Sequence, residues 1–428
     1  MTTRRIELWK AIIQAGGIDR YVDQQLEERG FLVTRRDPAG LKKSELERYK
    51  RELKREAAER RALKKAAWEA YRETHIVHLG DGVYFNDAAD VDKYDLEEPE
   101  KRAATNDWPT LDTHQQLAAF LELSVSQLRW LTYHRDAATR IHYHRFTIPK
   151  RNGTERAIWA PHETLKTAQR KVLRAIVEPL PVHGAAHGFV PGRSIVTNAR
   201  VHAGADVIVQ ADIRDFFPTV TWRRVRGVFR RGGYREQVAT LLALLCTEAP
   251  REIVEWRDTR WFVALGPRCL PQGAPTSPGL SNAVSWRMDR RLSGLARKLG
   301  FRYTRYADDL TFSRPWGQSG EPRVGALLAG LKRIVTDEGF TVHPDKTRVL
   351  RPGRRQAVTG LVVNGDGGPR VPREVKRTLR AALHRLRTGR DLPKGESLAR
   401  LAGLAAFVNA AEPELGRSLL DALSAARP

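Results

Sequence analysis

Cysteine is nearly absent from this chain: Cys246 and Cys269 are the only two in 428 residues. They are too few and too isolated to frame a zinc site or a disulfide scaffold. Long apolar runs are missing as well. Val238 to Cys246 is the longest predominantly apolar stretch, far short of the roughly 20 residues that cross a bilayer. The opening Met1-Thr2-Thr3-Arg4-Arg5 lacks the apolar core of a signal peptide. These exclusions set the expectation of a reduced, cytoplasmic protein with no membrane partner. No internal repeat or low-complexity tract is evident. Acidic charge is scarce beside basic charge, with 50 Asp and Glu against 74 Lys and Arg and a net charge of +24. Such an excess points to a polyanion, nucleic acid before an anionic membrane, although an arginine-rich proteome also produces basic chains. The length allows two or three domains around a sizeable core.

What is present centres on Tyr303-Thr304-Arg305-Tyr306-Ala307-Asp308-Asp309-Leu310-Thr311-Phe312. Alternation on both sides of a polar break predicts a tight β-hairpin with Asp308 and Asp309 at its tip. Adjacent carboxylates repel and suit strands poorly, so either the pair is a solvated turn or a hard cation with oxygen ligands offsets the repulsion. A second acid favours the cation. Val207-Ile208-Val209 reads as a buried strand that delivers Asp212, just before Ile213-Arg214-Asp215-Phe216-Phe217-Pro218. A buried strand ending on a carboxylate is costly unless the carboxylate is used. If the two segments are neighbours, Asp212, Asp308 and Asp309 meet. Three such groups can hold two magnesium ions, one activating a hydroxyl and one steadying a leaving pyrophosphate, which is nucleotidyl transfer.

Along the rest of the chain, Leu41 to His75 has no Gly or Pro and reads as a long helix with twelve basic and seven acidic residues. It is either a solvated structural helix or an RNA-binding one. From Asn86 to Asp107 the sequence turns acidic and reads as a linker. Thr113 to Tyr133 reads as two short helices broken at Ser124. Asn152-Gly153 predicts a hairpin that sets Lys150 across from Arg156, a basic ribbon able to clamp a triphosphate. Leu165 to Val177 is a predicted helix with Gln169 and Arg170 on its polar side. Trp222 to Phe229 and Arg235 to Cys246 also read as helices, and Trp256 to Leu265 as a hairpin. Pro271-Gln272-Gly273-Ala274-Pro275-Thr276-Ser277-Pro278 is a rigid loop leading into a helix that buries Leu280, Val284, Met288, Leu292 and Leu295. Val324 to Gly339 should be helical. Val342 to Leu350, which contains Lys346, and Ala357 to Asn364 should be strands. Beyond the breaker Gly365–Pro369 the chain is helical. Arg373, Lys376, Arg377, Arg380, His384, Arg385 and Arg387 make its first helix suited to a phosphate backbone.

In this order the chain resembles a reverse transcriptase, and more narrowly a bacterial retron reverse transcriptase. The Tyr306-Ala307-Asp308-Asp309 box, the Asp212 to Phe217 strand and the Pro271 to Pro278 loop match the signatures of a polymerase palm. Asn198-Ala199-xx-His202 and Val358-Thr359-Gly360 resemble two retron elements, and the N-terminal extension looks like that of the larger myxobacterial enzymes. The resemblance implies an α/β right hand: fingers, an antiparallel-sheet palm and a helical thumb behind a mainly helical extension. The expected boundaries are 1–110 extension and linker, 111–205 fingers, 206–365 palm and 366–428 thumb.

The resemblance also implies roles. Asp212, Asp308 and Asp309 would bind two Mg²⁺ with help from the Ile213 carbonyl. The Asp215 and Phe216 amides would meet the triphosphate of a dNTP, with Phe217 as the steric gate against a ribose 2′-hydroxyl. Lys150 and Arg156 would bind phosphates, and Gln272 would lie over the nucleotide. Asn198, His202, Val358, Thr359 and Gly360 would recognise a cognate structured non-coding RNA, unless they are a core histidine and an ordinary strand end. Arg373, Lys376, Arg377 and Arg380 would follow the nucleic acid from the thumb. Retron enzymes prime from a guanosine 2′-hydroxyl of that RNA and copy it into multicopy single-stranded DNA, a branched RNA–DNA tied to anti-phage defence. A host RNase H and an effector protein are further implied partners. Two other readings stand beside this one. One is another prokaryotic reverse transcriptase, group II intron-like or diversity-generating, although little sequence follows the thumb to hold a maturase endonuclease. The other is a non-catalytic RNA-binding scaffold, which idle buried acids would burden.

Overall fold

The computed structural model describes residues 2–85, 96–149, 153, 155–365, 367–393 and 395–425. Helices and antiparallel sheets mix throughout, and the N-terminal region is helical. The sheet that positions the acids has four strands in the order Arg302–Tyr306, Asp309–Pro315, Ala205–Asp212, Arg348–Leu350, each antiparallel to its neighbour. Val207, Ile208 and Val209 are buried in its middle, where β-branched side chains fit a pleated surface packed on both faces. The expected hairpin is present and as tight as two residues allow. Tyr306 pairs with Asp309, leaving Ala307 and Asp308 as the turn, with Ala307 at φ 56°.

Helix Ser277–Lys298 packs against strand Arg302–Tyr306 and against helices Trp222–Gly232 and Val324–Asp337. Leu280, Met288 and Leu292 are buried on it, with Val284 and Leu295 partly so, as their spacing predicts. Helix Lys43–Thr74 is the long N-terminal helix, and Ser124 caps Val125–Thr132 where the break was expected.

Several expectations need correcting. The acidic stretch is not wholly a linker, because Pro99–Thr105 is helical; residues 86–95 lie outside those described. Arg156 pairs with Ile148, and Pro149 with Glu155, so Arg156 is not opposite Lys150, which itself lies outside the described residues. Gln169 is fully buried instead of polar-facing. Its Nε2 donates to Tyr143 Oη at 2.9 Å and to the Leu245 carbonyl at 2.7 Å. The hairpin near Trp256 runs Arg251–Trp256 to Thr259–Ala264, turning at Arg257 and Asp258. Lys346 ends a short 3₁₀ turn, Pro344–Lys346, ahead of strand Arg348–Leu350.

The described residues form three hydrophobic clusters. The largest reaches from Ile76 to Phe340 and so crosses the boundary expected near 110. The second joins Val196, Ile208, Val358, Leu361 and Val363 to the helices Arg373–Arg387, Leu398–Ala411 and Pro413–Ala425, crossing the boundary expected near 365. The third is small, with Val22, Leu26 and Leu63 at its centre.

Candidate active site

Asp212 closes strand Ala205–Asp212 directly opposite Asp309, and the Ile213 amide donates to the Asp308 carbonyl at 3.0 Å. The three carboxylates therefore share one end of the sheet. Desolvation and then repulsion from Asp212 raise the Asp308 carboxyl above the usual range, opposed by Lys346 and Arg156. Desolvation, with repulsion from Asp308 and Asp212, pushes Asp309 up to about 6. Asp309 keeps an exposed surface, so water attenuates the repulsion without removing the crowding that causes it. Lys346 Nζ lies 2.9 Å from Asp212 Oδ1 and is the nearest counter-charge.

This donor set suits hard divalent cations: oxygen ligands of like charge, with the proton affinity of Asp308 and Asp309 raised by crowding and burial. As the side chains stand, however, no group of three His, Cys, Asp or Glu residues among those described is arranged to hold an ion. Asp212 is instead paired with Lys346.

A buried clamp that sequence reasoning missed supports the bend. Arg305 and Asp289 are both fully buried. Arg305 Nε and Nη2 donate to Asp289 Oδ1 and Oδ2 at 2.9 and 2.7 Å, and Tyr303 Oη donates to Oδ1 at 2.9 Å. Arg305 Nη1 donates to the Ala307 carbonyl at 3.1 Å, tying the fork to the residue before Asp308. Burial opposes the guanidinium charge, but Asp289 more than offsets it and leaves the group held above its ordinary value. Gly188 abuts the same bend. A Cβ there would stand 2.7 Å from the Ala307 amide nitrogen, so no larger residue fits without movement.

Beside the acids, Asp215 has φ 46°, and among the described residues neither its amide nor that of Phe216 has a hydrogen-bond acceptor. Two free amides at a bend are a small anion-binding surface. Phe217 is half-buried, 5.5 Å from the Phe216 ring and 6.3 Å from Phe189. Phe189 also lies 6.5 Å from Tyr306. The Gln272 carbonyl accepts from the Trp159 amide at 2.7 Å, which fastens the Pro271 loop to the basic hairpin. Gly273 permits this approach, since a Cβ there would meet Ile158 Cγ2 at 2.7 Å and the Trp159 carbonyl at 2.8 Å.

Asn198 and His202 lie in the interior, the placement that the core-histidine alternative describes for His202. Both are buried, Asn198 on helix Ile195–Val201 and His202 just past it. His202 Nδ1 and Nε2 lie 2.7 Å from Ser313 Oγ and Thr304 Oγ1, and desolvation pushes the ring down to about 3. The His202 side chain thereby ties the end of the helix to the sheet. Val358 is buried too, while Thr359 and Gly360 form the turn between Ala357–Val358 and Leu361–Val362. Thr359 Oγ1 donates to the Ile195 carbonyl at 3.0 Å, so the two elements, far apart in sequence, dock on each other. On the C-terminal helix, Arg373, Arg377 and Arg380 are exposed. Lys376 is not a free contact, because its Nζ lies 3.0 Å from both Glu412 carboxylate oxygens.

The sequence matches the family model described as reverse transcriptase (RNA-dependent DNA polymerase) over residues 148–376. It is 52% identical over 425 residues to the Retron Mx162 reverse transcriptase of Myxococcus xanthus, covering 97% of this chain and 88% of the relative. The Retron Mx65 reverse transcriptase of Myxococcus xanthus is 46% identical over 325 residues, 76% of this chain and 74% of the relative. The Retron Ec86 reverse transcriptase of Escherichia coli is 31% identical over 318 residues, 74% of this chain and 90% of the relative.

Proposed function

The chain belongs to the reverse transcriptase family, within it to the retron enzymes, and from that premise we propose how its RNA-directed DNA polymerase activity is primed and carried out. Synthesis starts from a guanosine 2′-hydroxyl in a cognate structured RNA. Copying an adjacent part of that RNA from dNTPs leaves multicopy single-stranded DNA as a branched hybrid. A host RNase H trims the template, and the product serves anti-phage defence with an effector protein. The overall organisation is fingers, palm and thumb behind an N-terminal extension.

Enzymes of this family use divalent metal ions, and here we assign two Mg²⁺ to Asp212, Asp308, Asp309 and the Ile213 carbonyl. When bound, the ions supply activation of the primer hydroxyl and charge stabilisation of the leaving pyrophosphate. The three carboxylates would hold them, with Asp212 exchanging its pair with Lys346 for the cations. The Asp215 and Phe216 amides orient the triphosphate, with Arg156 and Lys150 reaching it from the basic hairpin. Gln272 lies over the nucleotide. Phe217 excludes a ribose 2′-hydroxyl by bulk. Arg373, Arg377 and Arg380 follow the phosphate backbone, Lys376 shaping that helix through Glu412. Asn198 and His202 position the helix that, with Thr359 and Gly360, faces the cognate RNA.

The register of Asp212 against Asp309 is the observation that supports the chemistry most directly. Primer extension on an RNA template in magnesium, wild type against Asp308→Asn, tests it. The variant is expected to lose activity by about 100- to 1,000-fold, the scale of removing one source of electrostatic stabilisation. Equal incorporation by both proteins would remove Asp308 from the site and return the chain to an RNA-binding scaffold. Sequencing the nucleic acid that co-purifies with the protein from its host tests the priming step, since a 2′-branched guanosine stops a primer at one position.

A further inference from the structure

A cavity of about 770 Å³ lies between helices Trp222–Gly232 and Ser277–Lys298, lined also by helix Pro99–Thr105 and by Asp337 to Gly339. None of the residues given a role above lines it. Its walls carry six arginines, Arg102, Arg223, Arg224, Arg231, Arg287 and Arg290, against two acids, Asp337 and Glu338.

Both acids are already engaged. Glu338 lies 3.2 Å from Arg287 and 2.7 Å from Arg291, and Asp337 lies 2.6 Å from Arg291. Arg224 is committed to the main-chain carbonyls of Thr219, Glu338 and Gly339. That leaves Arg102, Arg223, Arg231 and Arg290, all exposed, with no carboxylate in ion-pair range among the described residues. Four uncompensated cations around one concavity repel each other and are relieved by a polyanion. Trp286 is 37% exposed on the same wall, with the Arg290 guanidinium 5.2 Å from its ring. Leu180, Pro181 and Val284 add apolar surface.

We propose that this cavity is a second nucleic-acid site that takes a short single-stranded segment, phosphates on Arg223, Arg231 and Arg290 and a base on Trp286. Cationic walls beside an exposed aromatic ring are what sequence-tolerant single-strand binding requires. The volume lies within the roughly 300–1,000 Å³ of ordinary ligand cavities, enough for a few nucleotides and too small for a duplex. A paired base is already stacked and cannot reach an indole set in a cavity. An acidic peptide would meet the arginines but leave the ring unused. Such a site would hold a flanking strand of template or product away from the acids, whether or not those acids catalyse.

The test uses the full chain with its polymerase cleft saturated by a dideoxy-terminated primer–template. A fluorescein-labelled oligodeoxythymidine 12-mer is then titrated by anisotropy over a range of salt. The wild type is expected to bind it additionally. Arg223→Gln/Arg231→Gln/Arg290→Gln is expected to bind at least about 10-fold more weakly, with the salt slope reduced by about 2, the effect of losing three phosphate contacts. Trp286→Ala is expected to lose about 10-fold and Trp286→Phe to keep most of the affinity. Extension of a generic primer–template should be unchanged in all of these variants, which also reports that they fold. Equal affinity and slope in wild type and triple variant would overturn the proposal. So would an oligonucleotide that binds only when the cleft is empty, or polyglutamate that competes as well as the 12-mer.

Discussion

Arg305 has no contact with water, yet its guanidinium holds the carbonyl of Ala307, the residue immediately before Asp308. The fork spans Asp289 and Ala307 together, a planar geometry that lysine cannot reproduce. Arg305→Lys keeps the charge paired and loses only the second hold, so the bend should loosen while the fold survives. Extension is expected to fall by up to about 100-fold, the scale of a 1 Å misplacement. The loss should appear in kcat more than in KM for dNTP, with a higher magnesium concentration needed for half-maximal rate. An unchanged magnesium dependence would mean the clamp serves stability alone. Asp289→Asn is the harsher change, since an unpaired buried charge costs about 3–5 kcal/mol. Phe301 and Tyr303 mark the inward positions of this strand, and Arg305 shares their parity. A cation at an inward position demands a buried acid; the sequence did not say which acid, because Asp289 reaches it only through the packing of a separate helix.

His202 answers to pH in a way that can be signed. Its ring titrates near 3 in the fold, against about 6.5 in an unfolded chain. Below 6.5 the unfolded chain binds the extra proton and the folded one does not, so stability is lost as pH falls from 6.5 toward 3. At pH 5 the loss from this residue is about 2 kcal/mol. His202→Gln removes the titration, so the difference in Tm between wild type and variant should shrink in the variant's favour from pH 7 to pH 5. A constant difference would remove His202 as the cause.

At the scale of elements, local signals carried far. The alternation around Asp308 and Asp309, the β-branched run before Asp212 and the spacing from Leu280 to Leu295 each appear where their periods put them. Partners across the chain did not appear. Gln169 reads as surface until Tyr143 and Leu245 close over it, and Lys376 reads as free until Glu412 arrives from another helix. The same holds for Thr359 and the Ile195 carbonyl, 164 residues apart. Thr359→Val removes that donor at nearly constant shape, while Thr359→Ser keeps it. If the joined elements face the cognate RNA, Thr359→Val should lower synthesis on that RNA about 5–10-fold, the worth of one hydrogen bond, and spare a generic primer–template. Thr359→Ser should restore it. Equal loss on both templates would make the contact a matter of folding only.

Across the whole molecule, the charge excess and the three cores divide the work unequally. Helix Lys43–Thr74 runs into the main body at its C-terminal end, where His114 Nε2 lies 2.9 Å from the Thr74 carbonyl and Ile76 and Leu79 enter the large core. Further toward its N-terminus, among the described residues, its apolar contact is the small cluster joining its own Leu63 to Val22 and Leu26. Polar contacts do much of the holding there. Burial pushes the Glu56 carboxyl up, but hydrogen bonds from Arg35, Arg60 and the Val33 amide more than offset it and leave it low. Arg5 adds exposed pairs to Glu69 and Glu73, a kind of contact worth at most about 1 kcal/mol and weakened by salt. Little apolar burial and screened ion pairs are the conditions for local opening at low cost. Amides of Ile18–Glu28 are therefore expected to exchange with deuterium orders of magnitude faster than those of Ala205–Asp212, and faster still at 0.5 M salt. Comparable protection in both segments, unmoved by salt, would show that the N-terminal helices open only when the sheet carrying Asp212 does.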